Sequence, residues 1–388
     1  MTPLNLLDIS GNPFERGLAH GKHLAKEIAE NTGTYLRMFA ANGLEQGDAL
    51  AKGDRWLPVI REGNAAYADE MKGIAKGAGV PEGLIGMLNA RYEIAFSLFH
   101  EEAKRGNRSG AIAPSAIPKD SVLRAPEGCT SFGAMPEATR DGTTLLGQNW
   151  DWLAAVHGRC VILRISRDDG PDILSLNEAG IVGGKQGLNR AGIGLVENGL
   201  VSALDGANGF CKPFHVRCRE ILEAETYDQA LLPVVKTDRT CSANFVIGHA
   251  DGEIINIETS PKLATYIYPE GGIVTHSNHF LDSQHGPSQM ERISPNTLYR
   301  AERLRRRLMA HHGELDFTNI RDALSDHFGL PNSICRHPDA RLPEDKRSMT
   351  NNAVVLDLNN RTLAVSDGPP CENSFVAYSF TDAISGVA

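Results

Sequence analysis

Beyond residue 129 the chain breaks into a long series of short apolar runs, each closed by turn residues, and this texture limits the fold more than any other feature. TSFGAM and TTLLGQNWDW flank Asp141-Gly142, a dipeptide favoured in tight hairpin turns. CVILRIS and DILSLNEAG flank a second turn around RDDGP. AGIGLVEN, CSANFVIG, EIINIETS, LATYIYP, GIVTHSNHF, NNAVVLDL and RTLAVSDG continue the pattern. Helical spacing interrupts it at about 213–224, 295–311 and 317–328. Many antiparallel strands with helices grouped outside them predict layers of sheet covered by helix, an α+β plan.

The first hundred residues have a different period. Leu24, Ile28, Leu36 and Phe39 recur at helical spacing after the Gly17/Gly21 pair, and Ile60, Tyr67, Met71 and Ile74 form a second face. Pro58 fits the opening turn of that second helix, where its missing N–H leaves no acceptor unsatisfied. Pro81 can open a third, carrying Leu84, Met87, Leu88 and Tyr92 toward Phe96 and Phe99. Residues 104–128, KRGNRSGAIAPSAIPKDSVLRAPEG, lack any periodicity and are rich in Gly, Ser, Pro and charge. They read as an exposed, mobile loop, either an ordinary surface linker or the lead-in to a processing site. The chain thus divides into a helical segment, 1–128, and a β-rich segment, 129–388.

Composition narrows the partners. Lys+Arg 39 against Asp+Glu 48 gives a net charge of −9, which argues against a nucleic-acid backbone or an anionic membrane as the main partner. No stretch approaches the ~18 consecutive apolar residues of a membrane span, and MTPLNLLDISGNPFERG has no basic n-region or long apolar core. The seven cysteines are scattered, odd in number and free of any CxxC pair. They point to reduced thiols in a cytoplasm rather than a disulfide framework or a structural zinc site.

Chemistry concentrates at APEGCTSFGAM. Cys129 stands where the loop meets the first strand, with Gly128 before it and small polar residues after it. A thiol here can attack the Gly128 carbonyl, because glycine tolerates backbone angles that other residues resist. Hydrolysis of the resulting thioester would leave Cys129 as a new N-terminus. Its α-amine, with an ordinary pKa of roughly 7.7–8.0, would then serve as the base for its own thiol.

The stretch GCTSFGAMPEATRDGTTLLGQNWDW resembles the processing site and following hairpin of the acyl-coenzyme A:isopenicillin-N acyltransferase family of N-terminal-nucleophile (Ntn) hydrolases. GNPFERGLAHG, CSANFVIG and THSNHF are similar to further parts of it, so the resemblance spans most of the chain. It implies an αββα four-layer sandwich, cleavage between Gly128 and Cys129, and amide-bond chemistry. Position by position it makes Cys129 the nucleophile, Asp151 in QNWDW the acid that orients the new α-amine, and Asn278 in HSNH an oxyanion donor. Ser131, Asn149 and Asn244 are then expected around that group. Phe132 and Phe280, with Trp150 and Trp152, line an acyl pocket or are plain core.

Each of these residues also has a structural role open to it. Asp151 can be a hydrogen-bonded strand-end carboxylate, and Asn278 can shape the turn after its strand. His276 and His279 fall on opposite faces of a strand with no third ligand apparent, so no metal and no cofactor is expected. The run Arg303, Arg305, Arg306, Arg307 reads as a solvated helix face.

The expectation is a self-processing amidohydrolase acting on a small-molecule N-acyl amino acid or related N-acyl amine through an acyl-enzyme. The alternative is an acyltransferase that moves an acyl group from a thioester such as acyl-coenzyme A to an amine. A self-cleaving binding protein without turnover is a third reading. The lasting partner would be the chain's own N-terminal fragment, and the processed heterodimers have room to associate into a homo-oligomer.

Overall fold

A computed structural model describes residues 4–97, 128–286, 288–381 and 383–387. The expected processing loop, up to residue 127, and Phe99 lie outside them. Alternating side chains assemble two sheets. The first runs β1 (Leu6–Ile9), β4 (Cys160–Ile165), β5 (Ile173–Glu178), β6 (Gln186–Asn189), β7 (Ile193–Gly199), β8 (Ala243–His249), β9 (Glu253–Ser260), β10 (Leu263–Ile267) in spatial order. The second runs β11 (Ile273–His276), β2 (Thr130–Ala134), β3 (Leu145–Leu153), β12 (Ser348–Asp357), β13 (Thr362–Asp367), β14 (Phe375–Tyr378), β15 (Ala383–Val387). Among these pairs only β1–β4 is parallel.

The sheets pack face to face, and their closest approaches use glycine. A Cβ at Gly133 of β2 would press on Ile254 of β9, and one at Gly194 of β7 would run into Leu358 and Leu146. Polar ties cross the same gap: Ser131 Oγ donates to Asn198 Oδ1 at 2.6 Å, and the Gln148 amide pairs with the backbone of Glu197. The outer face of the second sheet carries Phe132, Ala134, Leu145 and Val355. It is covered by the helices Thr297–Met309 and Phe317–Leu324 through Leu304, Leu308, Ile320 and Leu324. Helices Ala25–Ala41, Glu82–Asn89, Phe214–Glu223 and Tyr227–Val235 cover the first sheet. Asn31 and Asn89 donate to the carbonyls of Ala179 and Gly180, and Tyr227 to that of Ile247. The order is helix, sheet, sheet, helix: the αββα sandwich that the resemblance implied.

The N-terminal segment belongs to this body, because β1 completes the first sheet and Tyr378 Oη donates to the Leu4 carbonyl at 3.0 Å. Its helices divide differently from the expectation. Pro58 lies inside the helix Gln46–Gly63, near its end, and Tyr67, Met71 and Ile74 fall on a separate helix, Ala65–Ala78. The break is made by Asn64, whose side chain caps the Tyr67 N–H at 2.9 Å. Pro81 precedes Glu82–Asn89 as its N-cap residue.

Helices Pro13–His23 and Ala65–Ala78 touch backbone to backbone. A Cβ at Gly17 would collide with the Glu70 carbonyl, and one at Gly73 with that of Phe14. Gly17→Ala should therefore destabilise the protein by roughly 1–3 kcal/mol in urea unfolding, the cost of overpacking a rigid contact. Gly47→Ala, exposed and with nothing within 4 Å of the new methyl, should be neutral or stabilising by up to ~1 kcal/mol. Equal effects of the two substitutions would refute the close-contact account.

Candidate active site

β2 and β3 pair with Thr130 opposite Asn149, and the same register carried past the strand end sets Gly128 level with Asp151. Residues of β2 alternate, so Ser131 faces the other sheet while Thr130 and Phe132 face the helices. Cys129 is buried in the core between the layers, its Sγ 3.8 Å from the Asp151 carbonyl oxygen. The expected hairpin brings Cys129 to the Asp151 backbone, but the same register puts the Asp151 side chain on the helix side with Gly128 and Thr130, and Cys129 on the side of Ser131.

Asp151 is fully buried. Its Oδ1 accepts from Thr350 Oγ at 2.6 Å, and its Oδ2 accepts from Arg336 Nε at 3.3 Å. Thr350 stands opposite Asp151 on β12, beside a bulge in the register, and its hydroxyl also accepts the Arg336 N–H at 2.9 Å. Burial pushes the Asp151 carboxyl up to about 6, while Arg336, Arg300 and the Thr350 hydrogen bond pull the other way. It therefore stays ionised at neutral pH.

Arg300 joins the remaining parts. On the helix Thr297–Met309, the buried stripe is Thr297, Arg300, Ala301, Leu304 and Leu308, so helical geometry drives this guanidinium inward. One of its nitrogens, Nη1, donates to the Gly128 carbonyl, to the Cys129 carbonyl at 2.7 Å and to Thr130 Oγ at 2.7 Å. Its Nη2 donates to Asn278 Oδ1 at 2.7 Å. Burial lowers its pKa to about 10, with Arg336 acting in the same sense and Asp151 opposing. Asn296 Oδ1 accepts from Arg300 Nε at 3.0 Å and from Arg336 Nη2 at 3.1 Å, bridging the two cations. The Arg336 guanidinium also occupies the space where a side chain at residue 128 would lie. Gly128 is thus required by a close approach rather than by a left-handed backbone.

Asn278 lies just past β11, with its N–H on Thr297 Oγ at 2.8 Å and its amide Nδ2 donating to the Gly199 carbonyl at 3.0 Å. It reaches Cys129 through Arg300. Ser131 and Asn244 meet at Asn198 Oδ1 between the sheets, and Asn244 also donates to Asn256 at 2.9 Å. Asn149 faces the helical layer and donates to the carbonyls of Leu324 and Ile334 at 2.8 and 2.9 Å. Phe132 packs under the helices, away from the side on which Ser131 lies, and Phe280 stacks half-buried on His285. His276 bonds Glu258 at 2.7 Å, whereas His279 turns toward Ser277 and Thr297.

Three residues of this group were missed in the sequence: Arg300, Arg336 and Thr350. For Arg300 a signal existed, since it alone among the arginines of its helix falls on the apolar stripe. Arg303, expected in solvent, makes two hydrogen bonds to Asp326 at 2.6 and 2.7 Å, and Arg306 is exposed as expected.

Comparison with known proteins bears on the same region. The acyl-coenzyme A:6-aminopenicillanic-acid-acyltransferase 40 kDa form of Emericella nidulans is 29% identical over 370 residues, covering 93% of this chain and 91% of its own. An N-acylethanolamine-hydrolyzing acid amidase ortholog from Caenorhabditis elegans is 14% identical with a TM-score of 0.45, covering 60% of this chain and 93% of its own. Penicillin V acylase from Agrobacterium tumefaciens is 12% identical with a TM-score of 0.42, covering 62% and 83%. Likeness at that level adds nothing to the layer order already described. The family model for acyl-coenzyme A:6-aminopenicillanic acid acyl-transferase matches residues 138–370, the span that holds Asp151, Asn278, Arg300 and Arg336, and the chain belongs to that family.

Proposed function

We propose that the protein is a self-processing amidohydrolase that cuts its own chain between Gly128 and Cys129 and then cleaves the amide of an N-acyl amino acid or related N-acyl amine. The observation that carries this reading is the contact of Arg300 with the Gly128 carbonyl. That carbonyl is the one the Cys129 thiol must attack, and a charged donor on its oxygen stabilises the negative charge that develops there. In the self-cleavage step the Cys129 Sγ–carbon bond forms as the Gly128–Cys129 C–N bond breaks. The nitrogen takes up a proton and becomes the free α-amine. Water then hydrolyses the thioester and releases the Gly128 carboxylate.

In turnover the α-amine accepts the thiol proton, Sγ attacks the substrate carbonyl, and the amine product leaves before water resolves the acyl-enzyme. Asp151, held by Thr350 and Arg336, orients the α-amine, and Asn278, fixed by Arg300 and Gly199, supplies a donor to the oxyanion. Two arginines beside one carboxylate leave an excess of positive charge, which favours substrates whose amine part carries a carboxylate. The fragment 1–128 stays bound, because β1 and the outer helices are part of the sandwich. No helix among the described residues is long and apolar enough to cross a membrane. The seven free thiols fit a reducing compartment, and we assign the protein to the cytoplasm.

Acyl transfer is the second reading, favoured by the name of the Emericella nidulans relative. An amine would then replace water at the acyl-enzyme, and a thioester such as acyl-coenzyme A would donate the acyl group.

On a denaturing gel, wild-type protein should give fragments of about 14 and 28 kDa, the shares of 42.0 kDa carried by residues 1–128 and 129–388. Cys129→Ala should stay intact; an intact wild-type band after long incubation would sink the self-cleavage proposal. The rate of self-cleavage should fall below about pH 6, as Asp151 takes up its proton and loosens its hold on Arg336 beside Gly128. Asp151→Asn should slow it at neutral pH and abolish that acidic limb. Finally, a panel of N-acyl amino acids should release free acid with no amine added. Product formation only from acyl-coenzyme A plus an amine would establish transfer instead, and neither product would leave a self-cleaving binding protein.

A further inference from the structure

Four side chains from two loops beside the second sheet converge on one point: His327, Cys335 and His337 from the connection between Leu324 and β12, and Cys371 from the turn after β13. His337 Nε2 lies 3.2 Å from His327 Nε2, 3.3 Å from Cys371 Sγ and 3.6 Å from Cys335 Sγ, and the two sulfurs are 3.5 Å apart. All four atoms fall within 4.8 Å of one another. Tetrahedral zinc, with bonds of about 2.3 Å to sulfur and 2.0–2.1 Å to nitrogen, separates its ligand atoms by roughly 3.3–3.8 Å. Four of the six separations lie in or at the edge of that range, and the two from His327 to the sulfurs are within 4.8 Å. A disulfide does not describe the cluster, because its sulfurs would be only ~2.0 Å apart and the two imidazole nitrogens would have no reason to converge on them.

We propose that His327, Cys335, His337 and Cys371 form a structural zinc site. Two thiolates and two neutral imidazoles make a donor set that suits zinc and excludes hard cations such as magnesium or calcium, which take oxygen ligands. Binding releases the two thiol protons to solvent, and the metal with two thiolates is then electrically neutral. Cys335 is buried while His327 is exposed, which leaves a route for the ion to enter. The Glu372 carboxylate lies 3.6 Å from the other ring nitrogen of His337, Nδ1, beyond hydrogen-bond length but within ion-pair reach.

The position of the quartet gives it a purpose. Cys335 and His337 flank Arg336 in the chain: the two join the cluster while the guanidinium between them bonds Asp151. Cys371, from the turn between β13 and β14, ties this segment to the sheet. The zinc would hold in place the backbone that aims Arg336.

The full-length chain, expressed in zinc-supplemented medium and purified without chelators, should carry one zinc per chain by elemental analysis. Cys371→Ser should lose most of it, whereas Cys218→Ser, in the distant helix Phe214–Glu223, should keep it. Should Cys371→Ser fail to fold, cobalt substitution of the wild-type protein decides without any variant. Thiolate-to-cobalt charge-transfer bands and the intense visible bands of tetrahedral cobalt are expected. Absence of both zinc and cobalt bands in the wild-type protein would overturn the proposal. So would equal zinc in Cys371→Ser and wild type, or a Cys335–Cys371 disulfide in freshly isolated protein.

Discussion

Two guanidinium groups buried beside one carboxylate are the constraint around which this site is built. Arg300 and Arg336 leave water, and Asp151 can neutralise only one of them. The rest of the solvation must come from fixed dipoles, because a buried charge without partners is prohibitively costly. Those dipoles are the Gly128 and Cys129 carbonyls, the Thr130 hydroxyl and the side-chain oxygens of Asn278, Asn296, Asn332 and Ser348. The peptide bond that would be cut is therefore part of the cage that makes the arginines tolerable. Releasing it would turn a neutral carbonyl into a carboxylate beside two cations, a product that their charge would favour.

The same constraint explains which residues surround the site. Asn149 faces the helices, where its amide holds the carbonyls of Leu324 and Ile334 at the two ends of the loop that leads to Arg336. Thr350 bonds Asp151 and the Arg336 backbone at once, so the acid and the base partner are fixed to a single point on β12. Asn278 accepts from Arg300 and donates to Gly199, which links the helix Thr297–Met309 to the first sheet. Each polar side chain joins two elements, and removing one would leave a partner buried and unpaired.

Legibility in the sequence followed physical range. Short apolar runs with turn residues at both ends, such as EIINIETS and CVILRIS, fall where expected as strands, because a run that brief leaves no length for a helix. β6 and β14 do not, being four residues each and too short for a period to register. Pro58 misled because a proline near the end of one helix looks like the start of the next when the break, at Asn64, carries no strong signal. Cys129 and Asp151 were legible because both sit on one hairpin, so local pairing alone brings Cys129 to the Asp151 backbone. Arg336 was not: it comes from a loop 185 residues beyond Asp151 with no regular structure to announce it. The cysteines failed as a guide for the same reason. Spacing rules look for ligands close in sequence, whereas Cys371 lies 34 residues from His337 and meets it only through the turn after β13.

That irregular loop is the least expected part of the site and the most exacting. Between Leu324 and β12 the chain has one short 3-10 turn, Glu344–Lys346, and no helix or strand ladder to hold it. Yet the Arg336 guanidinium must be positioned to within a fraction of an ångström to fill the space beside Gly128 and reach Asp151. Backbone bonds to Thr350 fix it from β12, and Asn149 fixes it from β3. The helix Thr297–Met309 adds further anchors, Tyr299 Oη donating to the Asn332 carbonyl at 3.1 Å and Arg303 bonding Asp326. The convergence of His327, Cys335, His337 and Cys371 ties the loop to the turn after β13 as well. A loop without secondary structure can in this way hold a buried cation against its carboxylate.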